Sequence, residues 1–219
     1  MPLAPDWRKT FPFEETNKVV TFLKDTWADL VGRNMPDFHA DKHEPHLTKF
    51  LASVLKRTKR TVGLSGEFLM EDMDAEPDLK TGELHKPRRT DIRYFSDRID
   101  IDLTFEFKKL SRGADSRRHY YGENGMYRFV VGYYAREKHL AVMVGLLKVN
   151  DPDVILRLKQ ALSKNGVAAY LHVVRDSAGN VFREPSRELP SVVQFDTEHA
   201  RSTTSKLAEI VLCHLFLHH

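Results

Sequence analysis

From Leu140 to Leu147 the chain reads Leu-Ala-Val-Met-Val-Gly-Leu-Leu, without one polar side chain. A short continuous apolar run of this kind is the pattern of a strand buried on both faces, which needs cover above and below it. The expected fold is therefore α/β, a mixed central β-sheet flanked by α-helices.

A second run, Ile99 to Lys108, alternates instead. Ile99, Ile101, Leu103, Phe105 and Phe107 fall on one side, and Asp100, Asp102, Thr104, Glu106 and Lys108 on the other. Period two marks a strand with one buried face. Such a strand projects Glu106 and Lys108 side by side, and Asp91 is available from the preceding segment, Arg89 to Phe95. An exposed Glu-x-Lys pair would be an ordinary ion pair worth a few tenths of a kcal/mol. Thr104 to Leu110, however, reads as a central strand, where charges are costly to bury. Two acids and a lysine on a hairpin suit metal-assisted phosphodiester hydrolysis. Mg²⁺ takes a few hard oxygens and keeps several waters, and Mn²⁺ can substitute. Asp91 and Glu106 would supply carboxylates and Phe107 its carbonyl oxygen. Lys108 would orient a water or neutralise developing charge.

Thr90-Asp91, followed by Glu106-Phe107-Lys108 at the end of the next strand, resembles the PD-(D/E)xK restriction-endonuclease-like nuclease superfamily. Thr90 stands where that name has proline. The resemblance covers roughly residues 41–148. It implies a restriction-endonuclease-like core in a domain over 41–219, preceded by an N-terminal helical extension over 1–40. It further implies an acidic residue on the helix before the hairpin, for which Glu44 is the candidate. Arg128 is the candidate for a basic residue turned to substrate from the helix that follows. The activity implied is a Mg²⁺-dependent endonuclease, cutting DNA rather than RNA, in restriction, phage defence or mobile-element processing. A homodimer or a place in a larger complex would suit duplex cleavage. The alternatives are a nucleic-acid binder that does not cut, and an assembly protein whose hairpin charges are merely paired.

Charge supports a nucleic-acid partner through placement more than through its total. The net charge of the 219-residue chain is only +3. Arg88 and Arg89 lead into Asp91, while Lys109, Arg112, Arg117 and Arg118 follow the Glu106 strand, so basic clusters bracket the proposed site. With 41% hydrophobic and 30% charged residues, the composition is that of a soluble globular chain. No apolar stretch has membrane-spanning length, and residues 1–10 lack a signal-peptide pattern. The single cysteine, Cys213, excludes a disulfide framework and fits a cytoplasmic location.

Helices are expected over Phe13–Arg33, from Asp41 to about Arg60, from about Arg118 to Arg136, and after Asn150-Asp-Pro-Asp153 up to a left-handed cap at Asn165-Gly166. Asp41 and Glu44 have capping-box spacing, and Glu44 also shares a face with Leu47, Leu51 and Leu55. In the third helix the expected buried stripe is Met126, Phe129, Val130 and Tyr133, with Tyr121, Asn124 and Arg128 on another face. Strands are expected over Val62–Met70 and Val167–Val174, the latter turning through Ser177–Asn180 into a hairpin. Val192–Phe195 reads as a short extended segment, and Leu207–Leu217 as strand rather than helix. The acidic stretch from Glu71 to Leu84 reads as a solvated loop. His199, Arg201 and His214 form an unusual polar group near the C-terminal end, more in keeping with structural hydrogen bonding than with a cleft. Nothing resembles a phosphate-binding glycine loop.

Overall fold

The computed structural model describes residues 6–70, 73–74, 88–201 and 207–219, with side chains undescribed at 73–74 and 88–89. Six strands form one mixed sheet in the order β1-β4-β5-β6-β8-β7. They are β1 (Glu67–Met70), β4 (Ile92–Ser96), β5 (Ile101–Leu110), β6 (Leu140–Leu147), β7 (Phe195–Ala200) and β8 (Glu209–His218). Neighbours β5, β6 and β8 run parallel, and the outer pairings are antiparallel. The short strands β2 (Met73–Asp74) and β3 (Arg88–Arg89) pair separately.

The apolar run behaves as expected. Every residue of β6 is buried, and its side chains divide by parity between two cores. Leu140, Val142, Val144 and Leu146 join one cluster, and Ala141, Met143 and Leu147 the other. Helices α1 (Phe13–Gly32) and α2 (Glu44–Thr58) cover the first cluster. Helices α3 (Ala114–Tyr121), α4 (Met126–Val130), α5 (Pro152–Leu162) and α6 (Asn165–Tyr170) cover the second. The α1 helix contributes Val19, Val20, Leu23 and Trp27 to the same core as β5. The Trp27 indole N–H also donates to the His218 carbonyl at 3.1 Å, tying α1 to β8. Among the described residues no helix is long and apolar enough to cross a membrane.

Several expected boundaries move, each for a local reason. The Glu106 strand begins at Ile101, because Asp97–Ile99 forms a 3-10 turn and Asp100 adopts φ 48°. Aspartate tolerates this left-handed region better than most residues. Helix α2 starts at Glu44 with Pro45 in its first turn, and no side chain caps it. Asp41 lies outside the helix and pairs with Lys148, so the expected capping box does not form. The strand expected from Val62 is shortened to Glu67–Met70, since residues 59–62 form a 3-10 turn ended by Gly63 at φ 75°.

The continuous helix expected to Arg136 is broken between Tyr121 and Met126. A Cβ on Gly125 would sit 1.9 Å from the Tyr120 carbonyl oxygen, so this close turn needs glycine. Tyr134 is buried after that break, whereas Tyr133, expected in the core, is 38% exposed. The helix expected after Asn150-Asp-Pro-Asp153 forms as α5, and Asp151 caps it by accepting from the Asp153 amide at 3.1 Å. The helix ends at Leu162, and Asn165-Gly166 opens α6 in place of capping α5. Of the expected strand over Val167–Val174, residues 167–170 are helix and Val173 makes an isolated bridge, with Ala168 and Leu171 packed into the second core. The turn at Ser177–Asn180 forms around the Asp176 carboxylate, but only isolated bridges flank it. The extended segment expected at Val192–Phe195 begins instead at Phe195, as β7. The segment expected as strand over Leu207–Leu217 forms most of β8, which runs Glu209–His218 between β6 and β7. Of the acidic stretch from Glu71 to Leu84, all but Met73–Asp74 lies outside the described residues.

Candidate active site

Strand β4 pairs antiparallel with β5, Ile92 facing Phe105. Continuing that register by one residue sets Asp91 across from Glu106. The Asp91 carboxylate accepts from the Phe107 amide at 2.8 Å, which fixes it to the β5 backbone. Glu106 is 2% exposed and Phe107 fully buried. Alternation carries Lys108 to the same side of β5 as Glu106, and its ammonium donates to Glu106 Oε1 and to the Phe107 carbonyl, both at 2.7 Å. Glu44 arrives from the first turn of α2. One of its oxygens lies 3.4 Å from the Lys108 ammonium, and the other accepts from the Lys109 amide at 2.8 Å. The five groups expected from the sequence, Asp91, Glu106, Phe107, Lys108 and Glu44, thus converge.

The electrostatics of the group are incomplete. Glu106 Oε2 is buried with no hydrogen-bond partner. Burial, then the neighbouring Asp91 charge, push the Glu106 carboxyl up to about 8, against partial relief from Lys108. Burial also raises Glu44. Burial alone would depress the Lys108 ammonium, but Glu106, Glu44 and Asp91 outweigh it and raise its pKa. A carboxylate this costly to ionise, beside a second acid, is the environment in which a bound cation gains most. The orphaned oxygen and the Phe107 carbonyl are of the hard type that Mg²⁺ or Mn²⁺ accepts. Among the described residues no three His, Cys, Asp or Glu side chains lie close enough to cage a metal by themselves.

The expected basic residues divide. Lys109 is exposed, and its ammonium donates to the Ala40 carbonyl at 2.7 Å beside the site. Arg112 pairs with Asp151, Arg117 with the carbonyls of Arg112 and Gly113, and Arg118 with Asp115. Arg112 and Arg117 lie at or near the start of α3 and Arg118 in its last turn, and all three are at least partly exposed. The side chains of Arg88 and Arg89 lie outside the described residues.

Arg128 is held by the Glu123 carbonyl and by Asn124, and it donates to the Tyr134 hydroxyl. It is close enough to favour ionisation of Glu106. Tyr134 was not anticipated. Burial and the Glu106 charge push its hydroxyl up to about 12, so it stays protonated beside the site. The glycines at 122, 125 and 132 were the available signal, since they break the helix that would have turned Tyr133 inward.

His199 and His214 lie away from this group in a buried chain. His199 Nδ1 meets the Leu171 carbonyl at 2.8 Å, an acceptor only, so its Nε2 must accept from the Thr197 hydroxyl at 2.7 Å. His214 Nε2 then donates to Thr197 at 2.9 Å, and its Nδ1 accepts from the Tyr120 hydroxyl at 2.8 Å. Both imidazoles are neutral, and their role is structural. Arg201 is likewise spent on backbone, donating to the carbonyls of Phe129, Ala135 and Arg136.

Comparison with known proteins finds no matching family model, no matching curated protein and no matching solved structure.

Proposed function

We propose that this protein is a Mg²⁺-dependent nuclease with a restriction-endonuclease-like core, cutting DNA by hydrolysis of phosphodiester bonds. The observation that carries the reading is Glu106, a buried carboxylate with an unpartnered oxygen, set across from Asp91 and against Lys108. Groups held so far from their ordinary ionisation cluster at functional sites. Asp91, Glu106 and the Phe107 carbonyl would hold Mg²⁺ or Mn²⁺. When bound, the ion lowers the pKa of a water and offsets charge on the phosphoryl oxygens.

The chain's own groups do the rest. Lys108 has three donors, two of them directed at Glu106 and the Phe107 carbonyl. The Phe107 carbonyl is among the oxygens assigned to the ion, whereas the ammonium holds Glu106 Oε1 and leaves Oε2 open, so with an ion bound the donor now spent on that carbonyl would be released to orient the attacking water or a phosphoryl oxygen. Glu44 fixes the β5 backbone at Lys109 and keeps the ammonium near. The basic groups around α3 supply phosphate contacts.

Supercoiled plasmid incubated with Mg²⁺, with Mn²⁺ and with EDTA tests the reading. Nicking or linearisation is expected with either ion and not with EDTA. A folded protein inert in all three conditions would remove it. The closed ion pairing of Lys108 with Glu106 and Glu44 also suits a binder that does not cut. Retardation of DNA without cleavage at saturating metal would favour that second reading.

A further inference from the structure

Beyond Lys109 the strands β5, β6 and β8 end together, and a cavity of about 390 Å³ opens at their carboxyl ends. This is where ligands enter open parallel sheets. Its polar wall comes from several parts of the chain. Lys109 lies near the end of β5 and Lys148 follows β6, Ser111 and Ser116 frame the turn into α3, His219 follows β8, and Asp41 precedes α2. We propose that this cavity is a phosphate subsite, holding a backbone phosphate of the nucleic-acid strand next to the phosphate that is cut. The proposal rests on the nuclease reading for the identity of the strand, though not for the chemistry of the pocket.

Three observations carry it. First, the cavity is continuous with the candidate site along the backbone. The Lys109 amide is held by Glu44, which also faces Lys108, while the Lys109 side chain lines the cavity. Second, its cations are available. Lys148 pairs with Asp41 at 2.8 Å, but both side chains are 72% exposed, so the pair contributes little and yields readily to a stronger anion. Among the described residues the Lys109 ammonium donates to a neutral carbonyl, that of Ala40, with Asp41 near enough to feel its charge. Among the described lining residues Asp41 carries the one side-chain carboxylate, opposed by the two lysines. Third, neutral donors are present. The Ser111 hydroxyl donates to Ser116 at 3.0 Å and Ser116 lies against the carbonyls of Ser111 and Gly113, short local bonds that a bound anion would exchange for its own. His219 Nε2 is buried without a hydrogen-bond partner, an uncommon state for a buried polar atom. Leu110 and Leu146 give the remaining wall an apolar surface against which a nucleoside can rest.

Binding measured in EDTA separates this proposal from catalysis. Fluorescence anisotropy of a short single-stranded DNA should show Lys148→Glu binding at least about tenfold more weakly than wild type, with Lys148→Ala lowering the salt slope by about one. Lys24→Glu makes the same charge change on exposed α1 and should bind as wild type. Inorganic phosphate should compete with the DNA and shift the His219 ring resonances.

Equal weakening by Lys24→Glu would mean diffuse attraction and would overturn the subsite, as would wild-type binding by Lys148→Glu. Failure of phosphate both to compete and to move His219 would also overturn it. DNA binding through Lys148 with no cleavage under any metal would sink the nuclease reading and leave the subsite standing. Metal-dependent cleavage with an indifferent Lys148 would do the reverse.

Discussion

Asp102 and Glu106 stand four residues apart on the same face of the same strand, and they have opposite fates. The Asp102 side chain is 8% exposed, yet Arg93 meets both its oxygens at 2.7 and 2.8 Å and Lys138 approaches at 2.8 Å. Burial opposes its ionisation, but those hydrogen bonds win and hold the carboxyl below its usual value. Glu106 is similarly buried, has one cation in contact, faces a second acid and keeps an unpartnered oxygen. Its carboxyl is pushed the other way. Burial does not by itself separate a structural carboxylate from a working one. What separates them is whether the fold completes the set of partners.

The largest expected effects test that division through activity. Lys108→Ala should lower metal-dependent cleavage by a hundred- to a thousand-fold, ~10²–10³, while the protein stays folded. Glu106→Gln should abolish most cleavage and melt no lower than wild type without metal, since it replaces a carboxyl that the fold already keeps protonated. Unchanged cleavage by either variant in a plasmid assay would end the assignment. Asp102→Asn should behave in the opposite manner. It removes a charge that two cations depend on, and should cost about 1–3 kcal/mol in urea unfolding, tempered because Arg93 and Lys138 remain partly wet. Cleavage well below its melting temperature should persist. If Asp102→Asn is silent in stability but inactive, the two carboxylates have been assigned the wrong way round.

The same contrast shows what the sequence could reveal. Alternation from Ile101 to Lys108 and the apolar run from Leu140 to Leu147 are backbone-scale patterns, and both strands form. The Glu106–Lys108 spacing and the nearby Asp91 were legible because neighbouring strands fix where those side chains point. Asp102 could not be told from Glu106, as its partners Arg93 and Lys138 come from elements whose register only the fold sets. Glu44 was legible by helical position, but its expected partner Asp41 was not, because Asp41 pairs with a lysine 107 residues away. The failures fall where local preference competes with packing. Val167 to Val174 has β-forming residues, yet Ala168 and Leu171 are drawn into the second core, and Tyr170 stacks on Tyr127 with centroids 4.4 Å apart. Tyr134 was hidden by the same effect, one glycine-rich break away from the periodicity that picked out Tyr133.

The smallest and most specific effect is in the pH dependence of stability. The folded chain keeps a proton on Glu106 up to about pH 8, whereas the unfolded chain releases it near 4.5. Between those values the folded state binds more protons, so this group makes stability fall as pH rises. His199 acts in the opposite sense. Its ring is held neutral, with the pKa lowered to about 4 from 6.5, mainly by burial. It therefore contributes stability above about pH 6.5 that is lost as pH falls toward 4, and His214, lowered by burial and by His199, adds in the same direction. Glu106→Gln removes the first slope and leaves the second. In EDTA, the melting temperature of the variant minus that of wild type should rise from about pH 4.5 and level off above about pH 8. Saturating Mg²⁺ at pH 8 should raise the wild-type melting temperature and barely move the variant, because the ion needs the ionised carboxylate. A difference curve that is flat with pH would mean that Glu106 ionises like an ordinary carboxylate. A curve that falls as pH rises would make it a second Asp102, with partners the fold has already supplied, and either outcome would leave no vacancy for a cation to explain.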